Sequence, residues 1–570
     1  MSTNRFGPMD FLGAGLPLCL GTSIVVLRLS IGLGFSQGVS CGLSLAGIAA
    51  VLAFVIPGRR SPGTKFPRWS ISEAGTVVFS LLTLAFLRTS AADGSLFWPH
   101  AFGVDQAHHG ALVTAISDSG SLSSQDPRLG SMSGYPPGAH LVSAAAARIV
   151  GITPLAAMWF VAMATVAMQL LTVVWLGRRC SRQGSWFAGL AAGLLWVAGW
   201  RMSLSMVTVA FWFAQSVSVT LTLGGVAAAC LATENGAKWR WLIAALVCGV
   251  ASQLTYPQST PIIPLAMLGA VSALAPPIRQ LPRFLLSMSK RRAGVAAGAV
   301  LLVGVQLAVV RRLPYFSLAA FSGNGEGIVT PVTVSAFGGA MAVAAMAWGV
   351  FELFVLAWNR SSPARAVLSA ALGPVGLVLV LLLIRWSGTP VTQYRIAKNW
   401  FSLFPFLAIA GGVACGIAVE SFRDTAHRLR PVRRDTRWNK LVAGSVICVL
   451  YVSVFLANPR MRSTDQPLIS RDMYVLGRSV AQGYPVEEIG IAGDALGPYT
   501  AWWTSLRRLP PGDLTSQLIP RASRYDQWPT GDAPERFLLV DESLASDYEH
   551  RPGVKVIARR GGAVFLQRTP

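Results

Sequence analysis

Apolar stretches of bilayer-crossing length recur along this chain and leave few folds open to it. They lie near residues 11–34, 40–57, 71–88, 154–176, 185–200, 205–231, 241–255, 260–275, 294–310, 335–357, 366–385, 400–419 and 441–457. Crossing roughly 30 Å of hydrocarbon takes about 17–25 such residues in a helix. Lipid offers backbone groups no hydrogen-bond partner, so each span must satisfy its own, which a helix does. Only 13% of the 570 residues are charged, against about 25% in an ordinary soluble domain. The sequence therefore predicts a polytopic α-helical membrane protein with about 13 transmembrane helices, residing in the plasma membrane.

The formal net charge of +23 would suit nucleic acid, but the basic residues are placed for another purpose. With the N-terminus inside, the segments 1–10, 58–70, 177–184, 232–240, 276–293, 358–365 and 420–440 fall on the cytoplasmic side. They hold 24 of the 48 Lys and Arg residues, including Arg59-Arg60, Arg178-Arg179, Lys290-Arg291-Arg292 and Arg433-Arg434. That is the positive-inside pattern of a membrane protein, and it excludes nucleic acid as the expected partner. The N-terminus is expected in the cytoplasm and the C-terminus outside, with membrane lipids around the bundle. The first span has no small-residue cleavage site after it and reads as a retained helix.

Two outer segments are too long to be mere connectors, the loop 89–153 and the tail 458–570. The tail carries 14 basic against 13 acidic residues, the balance of a soluble unit. Short β-type runs at Ile489–Ala492, Phe537–Val540, Val554–Ala558 and Ala563–Gln567 point to a small extracytoplasmic α/β domain. Two domains follow, a transmembrane bundle over 1–457 that includes the loop, and the soluble domain over 458–570. Six of the seven cysteines lie in apolar spans and Cys180 in a basic loop, which leaves no disulfide framework and no CxxC knuckle.

Titratable residues concentrate in the first outer loop. Four of the six histidines (His100, His108, His109 and His140) lie there, as do Asp93, Asp105, Asp118 and Asp126. If Asp105 opens a helix as its N-cap, Asp105 and His109 stand four residues apart on one face. A carboxylate and an imidazole in that register suit either a general base with its orienting partner or two ligands of a divalent cation, with His108 beside them. A lone N-cap aspartate and interfacial histidines would place the same residues without chemistry; the clustering favours the functional reading. Ala111–Ile116 is apolar enough to lie along the membrane surface. Tyr135-Pro136-Pro137 then turns the chain into a helical run from Ala139 to Val150. No GxxxxGK[ST], GxSxG or HExxH motif accompanies these residues, and none demands a cofactor, a divalent cation being the one candidate.

A large outer loop with an acidic residue, a loop helix, a Tyr-Pro-Pro turn and a C-terminal outer domain together resemble the GT-C membrane glycosyltransferases. The cell-envelope arabinofuranosyl- and mannosyltransferases of actinobacteria are the most similar branch, and the Arg- and Ala-rich composition suits such a source. Here two spans precede the helix that feeds the loop, whereas the family commonly places the loop after its first span. The resemblance implies transfer of a sugar from a polyprenyl-phosphate donor to an envelope glycan or lipid acceptor, with Asp105 as general base and His109 beside it. The leaving phosphate needs cations, and the outer side offers Arg311, Arg312, Arg395 and Lys398. Arg can grip phosphate in bidentate fashion and Lys as a point charge, although basic residues beside aromatic ones also anchor spans by snorkelling. His108, His140, Tyr135, Tyr394 and Glu326 complete the expected acceptor pocket. A transporter or lipid flippase would want paired broken helices in two repeats, which the sequence does not offer. An envelope scaffold without catalysis would need only the outer tail.

Overall fold

A computed structural model describes residues 8–55, 104–121, 135–181, 186–199, 213–233, 239–256, 336–359, 361–388, 393–429, 471–492, 528–530, 535–541 and 544–569, with isolated positions between them. Its long helices fall where the apolar spans predict them. In chain order they begin with α1 (Leu16–Gly32), entered through a π-helical segment Phe11–Gly15, and α2 (Gln37–Val55). Two loop helices follow, α3 (Val104–Ser119) and α4 (Gly138–Val150). The bundle continues with α5 (Pro154–Cys180), α6 (Trp186–Ala198), α7 (Phe213–Thr233) and α8 (Trp239–Thr255). It resumes with α9 (Ala336–Trp358), α10 (Ser362–Trp386) and α11 (Gln393–Leu429). Among the described residues six helices are long and apolar enough to cross a membrane, and the chain is built as a multi-pass membrane protein. The expected spans 71–88, 260–275, 294–310 and 441–457 lie outside the described residues, apart from isolated positions.

Helix α7 is buried along its length and explains how the bundle coheres. Lipid tails are as apolar as leucine, so helices in a bilayer associate through close packing and hydrogen bonds between them. Gln169 of α5 donates to the Ser216 carbonyl at 2.9 Å and to the Ser216 hydroxyl at 3.0 Å. Ser218 and Ser252 pair at 2.7 Å between α7 and α8. The Thr220 hydroxyl donates to the Thr165 carbonyl at 3.3 Å.

Polar contacts also tie the helix ends together. Arg179, at the end of α5, reaches Asp10 at 2.6 Å, and the Trp175 indole N–H donates to the same carboxylate at 2.9 Å. Thr233, at the end of α7, meets Ser362, at the start of α10. Arg148 of α4 donates to Gln37, at the start of α2, at 3.4 Å.

The tail folds into helix α12 (Arg471–Gly483), strands β1 (Ile489–Ala492) and β2 (Phe537–Val540), a short helix α13 (Ala545–Glu549), and strands β3 (Val554–Arg560) and β4 (Ala563–Arg568). The sheet order is β1-β2-β4-β3, with β1 parallel to β2 and the other pairs antiparallel. All four strands stand where the sequence places β-type runs, β3 extending two residues further and β4 one. The tail does not stand apart. Met473, Tyr474, Phe537 and Phe565 join the same hydrophobic cluster as Trp159 and Phe213 of the bundle.

Two expectations for the outer loop need correction. Val104 is already helical, so Asp105 lies within α3 instead of at its N-cap. Ala111–Ile116 does not line the membrane surface. Ala111, Leu112, Ala115 and Ile116 are buried in one cluster with Leu27, Ile31 and Leu141, because α3 packs chiefly on α4 and α5.

Candidate functional site

Helices α3 and α4 bring two of the expected histidines into contact. His109 Nδ1 lies 2.8 Å from His140 Nε2, with both rings buried. Their rings stack with centroids 5.0 Å apart. Tyr135 stands edge-on to His109 at 5.4 Å and to His140 at 5.7 Å. Phe213, the first residue of α7, closes the group at 5.8 Å from His109 and 5.7 Å from His140. The Tyr-Pro-Pro turn makes this possible. Pro137 is the residue from which α4 starts, and Gly138 sits so close to α8 that a Cβ there would meet the Thr255 hydroxyl at 2.4 Å and the Leu254 carbonyl at 2.8 Å.

Burial sets the charge state of the pair. It holds His109 well below the usual imidazole range, helped by the neighbouring His140, His108 and Lys398. Burial likewise pushes His140 down to about 3, against hydrogen bonding to the backbone of Pro136 and Pro137 that favours its proton. Both rings are neutral at pH 7. A neutral pair can share one hydrogen bond only if one nitrogen donates and the other accepts. The Pro136 and Pro137 backbone favours the proton on His140 Nδ1, although no fully formed hydrogen bond reaches that atom. With that proton on His140 Nδ1, His140 Nε2 accepts from His109 Nδ1–H.

This arrangement carries a pH dependence. The unfolded chain protonates these rings near pH 6.5 and the folded chain resists, so stability is unaffected above about 6.5 and falls below it. For His140 the loss continues to about pH 3, at about 1.4 kcal/mol per pH unit. Thermal unfolding in detergent between pH 7 and 4 is expected to show this slope, and His140→Phe is expected to flatten it.

Lys398, on the opening of α11, is close enough to His109 to act on its charge. Its ammonium lies 5.8 Å from the Tyr256 ring centre, within range of a cation–π contact. Gln215 of α7 donates to the Lys398 carbonyl at 2.5 Å and to the Ser402 hydroxyl at 3.2 Å, fixing that turn of α11. The site thus unites His109, His140, Tyr135 and Lys398 from the sequence-derived set. His108 is buried next to His109. Asp105, Tyr394 and Arg395 occupy helical positions, Asp105 one turn before His109 and the other two on the first turn of α11; their side chains lie outside the described residues. Arg311, Arg312 and Glu326 lie outside them altogether. Sequence reasoning missed Phe213, Tyr256 and Gln215, which sit in apolar surroundings that give them no motif; the Tyr256-Pro257 break was their one signal.

No group of three or more His, Cys, Asp or Glu side chains suited to a metal occurs among the described residues. His109 Nδ1 is already engaged by His140 and is not open to a cation.

No protein-family model matches the chain, and no curated protein matches it in sequence. Among solved structures it is similar to the archaeal oligosaccharyltransferase AglB from Archaeoglobus fulgidus, determined with an inhibitory peptide and a dolichol-phosphate. The TM-score is 0.48 and the identity 11%, over 83% of this chain and 69% of that one. It is also similar to ArnT from Cupriavidus metallidurans bound to undecaprenyl phosphate. There the TM-score is 0.43 and the identity 14%, over 86% of this chain and 98% of that one.

Proposed function

We propose that this chain is a membrane glycosyltransferase of the GT-C type, which moves one sugar from a polyprenyl-phosphate donor to a hydroxyl acceptor at the outer face. The observation that carries the reading is the meeting of a neutral, buried histidine pair from the loop helices with a lysine from the opening of α11. A site that sets uncharged polar rings beside a cation, one turn from a carboxylate on the same helix, suits a reaction in which a hydroxyl loses its proton while a phosphate leaves. Within that class the particular reading is an actinobacterial arabinofuranosyl- or mannosyltransferase acting on an envelope glycan or lipid.

In this mechanism the Asp105 carboxylate takes the proton of the acceptor hydroxyl, and the oxygen attacks the anomeric carbon. The bond from that carbon to the phosphate oxygen breaks, and its electron pair leaves with the phosphate. Lys398 balances the charge that develops there, with Arg395, Arg311 and Arg312 as further candidates. His109, one turn after Asp105 on α3, serves as its orienting partner. His108, Tyr135, His140, Tyr394 and Glu326 shape the acceptor side.

The test supplies labelled polyprenyl-phosphate arabinose and polyprenyl-phosphate mannose, side by side, to membranes carrying the chain. Asp105→Asn is expected to lower transfer by about 10²–10⁴-fold, the usual contribution of a general base, with the amount of inserted protein unchanged. Full transfer by Asp105→Asn would remove the base from the mechanism.

A further inference from the structure

The helix that carries Asp105 and His109 is held from behind by the C-terminal domain. Thr114 and Asp118 lie five and nine residues after His109, and at about 100° per residue Thr114 points some 140° away from it around α3. That back face meets α12. Thr114 Oγ1 lies 3.0 Å from the Tyr474 hydroxyl, with both residues fully buried. Asp118 pairs with Arg478, one turn further along α12. The Tyr474 hydroxyl also takes a backbone hydrogen bond from Leu155. Leu155 lies in the first turn of α5, where backbone N–H groups have no partner within the helix. One phenol therefore joins α3, α5 and α12 across 360 residues of sequence. Burial pushes that hydroxyl up to about 12, so it remains a neutral donor and acceptor throughout the working range.

We infer that Tyr474 and Arg478 are positioning residues, through which the C-terminal domain sets the place of α3 and hence of its Asp105–His109 face for transfer. The inference rests on the transferase reading above. Helix α3 lies outside the spans, with α4 and α5 packed against it and the tail gripping its back through Thr114 and Asp118. Loss of the rear contact lets α3 move relative to α4 and α11. A shift of about 1 Å in a reacting group can lower a rate about 10²-fold without altering what binds.

The test uses the full-length protein in membranes and compares turnover per inserted molecule. Arg478→Glu is expected to lower kcat at least ten-fold while leaving KM for the lipid donor within two-fold. The exchanged pair Arg478→Glu with Asp118→Arg is expected to recover most of that loss. Tyr474→Phe, which keeps the packing and removes only the hydroxyl, is expected to lower kcat three-fold or more. Arg560→Gln is the control, because Arg560 pairs with Asp472 at 2.9 Å on α12 but within the tail itself; its kcat is expected to stay at the wild-type value. Wild-type kcat in Arg478→Glu and Tyr474→Phe, or an equal fall in Arg560→Gln, would overturn the inference. Should Arg478→Glu fail to insert, Tyr474→Phe and Arg560→Gln decide alone. Asp105→Asn, assayed in parallel, separates the two ideas: if it transfers at full rate the transferase mechanism fails, whereas loss there with wild-type Tyr474→Phe and Arg478→Glu defeats only the positioning role.

Discussion

Lys398→Met is expected to lower sugar transfer by about 10²–10³-fold, the scale seen when one preorganised group is removed from a developing negative charge. The competing account makes Lys398 an interfacial anchor whose ammonium merely reaches for water. Three observations oppose it. Its carbonyl is fixed by Gln215 at 2.5 Å, its ammonium lies by the Tyr256 ring, and its charge is close enough to help depress His109. An anchor has no need of a neighbouring histidine. The last point gives a second readout. With Lys398 removed, one source of repulsion against a protonated His109 disappears, so His109 titrates at higher pH. The acid limb of the kcat profile in Lys398→Met is then expected to move towards neutrality. Lys398→Arg is expected to recover part of the rate and restore the limb, since charge is kept while the compact ammonium is replaced by a planar fork. A Met variant with unchanged turnover and an unmoved acid limb would return Lys398 to the role of anchor.

The fold was legible in the sequence wherever a single element carries its own pattern. Residues 185–200 and 241–255 are short for spans, and both are helices, α6 and α8, that fall below the length of the six candidate spans. The strands Ile489–Ala492 and Phe537–Val540 were readable to the residue, being short apolar runs bounded by polar and turn residues. The histidine site was half legible. Clustering in one loop singled out His109 and His140, but their hydrogen bond depends on how closely Gly138 lets α4 approach α8, which no local pattern encodes. Phe213 and Tyr256 close the site from apolar spans, where one more aromatic residue carries no signal. The Thr114–Tyr474 contact joins residues 360 apart and was out of reach for the same reason. Ala111–Ile116 misled because an apolar loop segment can face either lipid or protein, and Leu27, Ile31 and Leu141 settle it for protein.

Gly349→Ala is expected to destabilise the bundle by about 3 kcal/mol, at the upper end of ordinary overpacking. A Cβ at Gly349 would lie 1.9 Å from the Ala410 carbonyl oxygen, 2.1 Å from its carbon and 2.7 Å from the Gly411 nitrogen. All three are backbone atoms of α11 and cannot rotate aside as a side chain would. Relief requires α9 and α11 to separate by about 1.5 Å, since carbon contacts are comfortable only near 3.5 Å. Separation is hard here because α11 is also pressed on its other flank. A Cβ at Gly412 would meet the Ala188 carbonyl oxygen and Ala192 Cβ, each at 2.5 Å, in α6. Intrinsic propensity pushes the other way, since alanine is the better helix former by about 1 kcal/mol. The matched control is Gly42→Ala in α2, where nothing lies within 4 Å of the added carbon. There propensity acts alone, and the variant is expected to melt at or above the wild-type temperature. The two substitutions are chemically identical and should shift the detergent melting curve in opposite directions. Because α11 also carries Lys398, Gly349→Ala is expected to reduce transfer as well, whereas Gly42→Ala is not. If Gly349→Ala melted with the wild type, the two helix backbones could not be in contact at that point, and the placement of α11 that brings Lys398 towards His109 would fall with it.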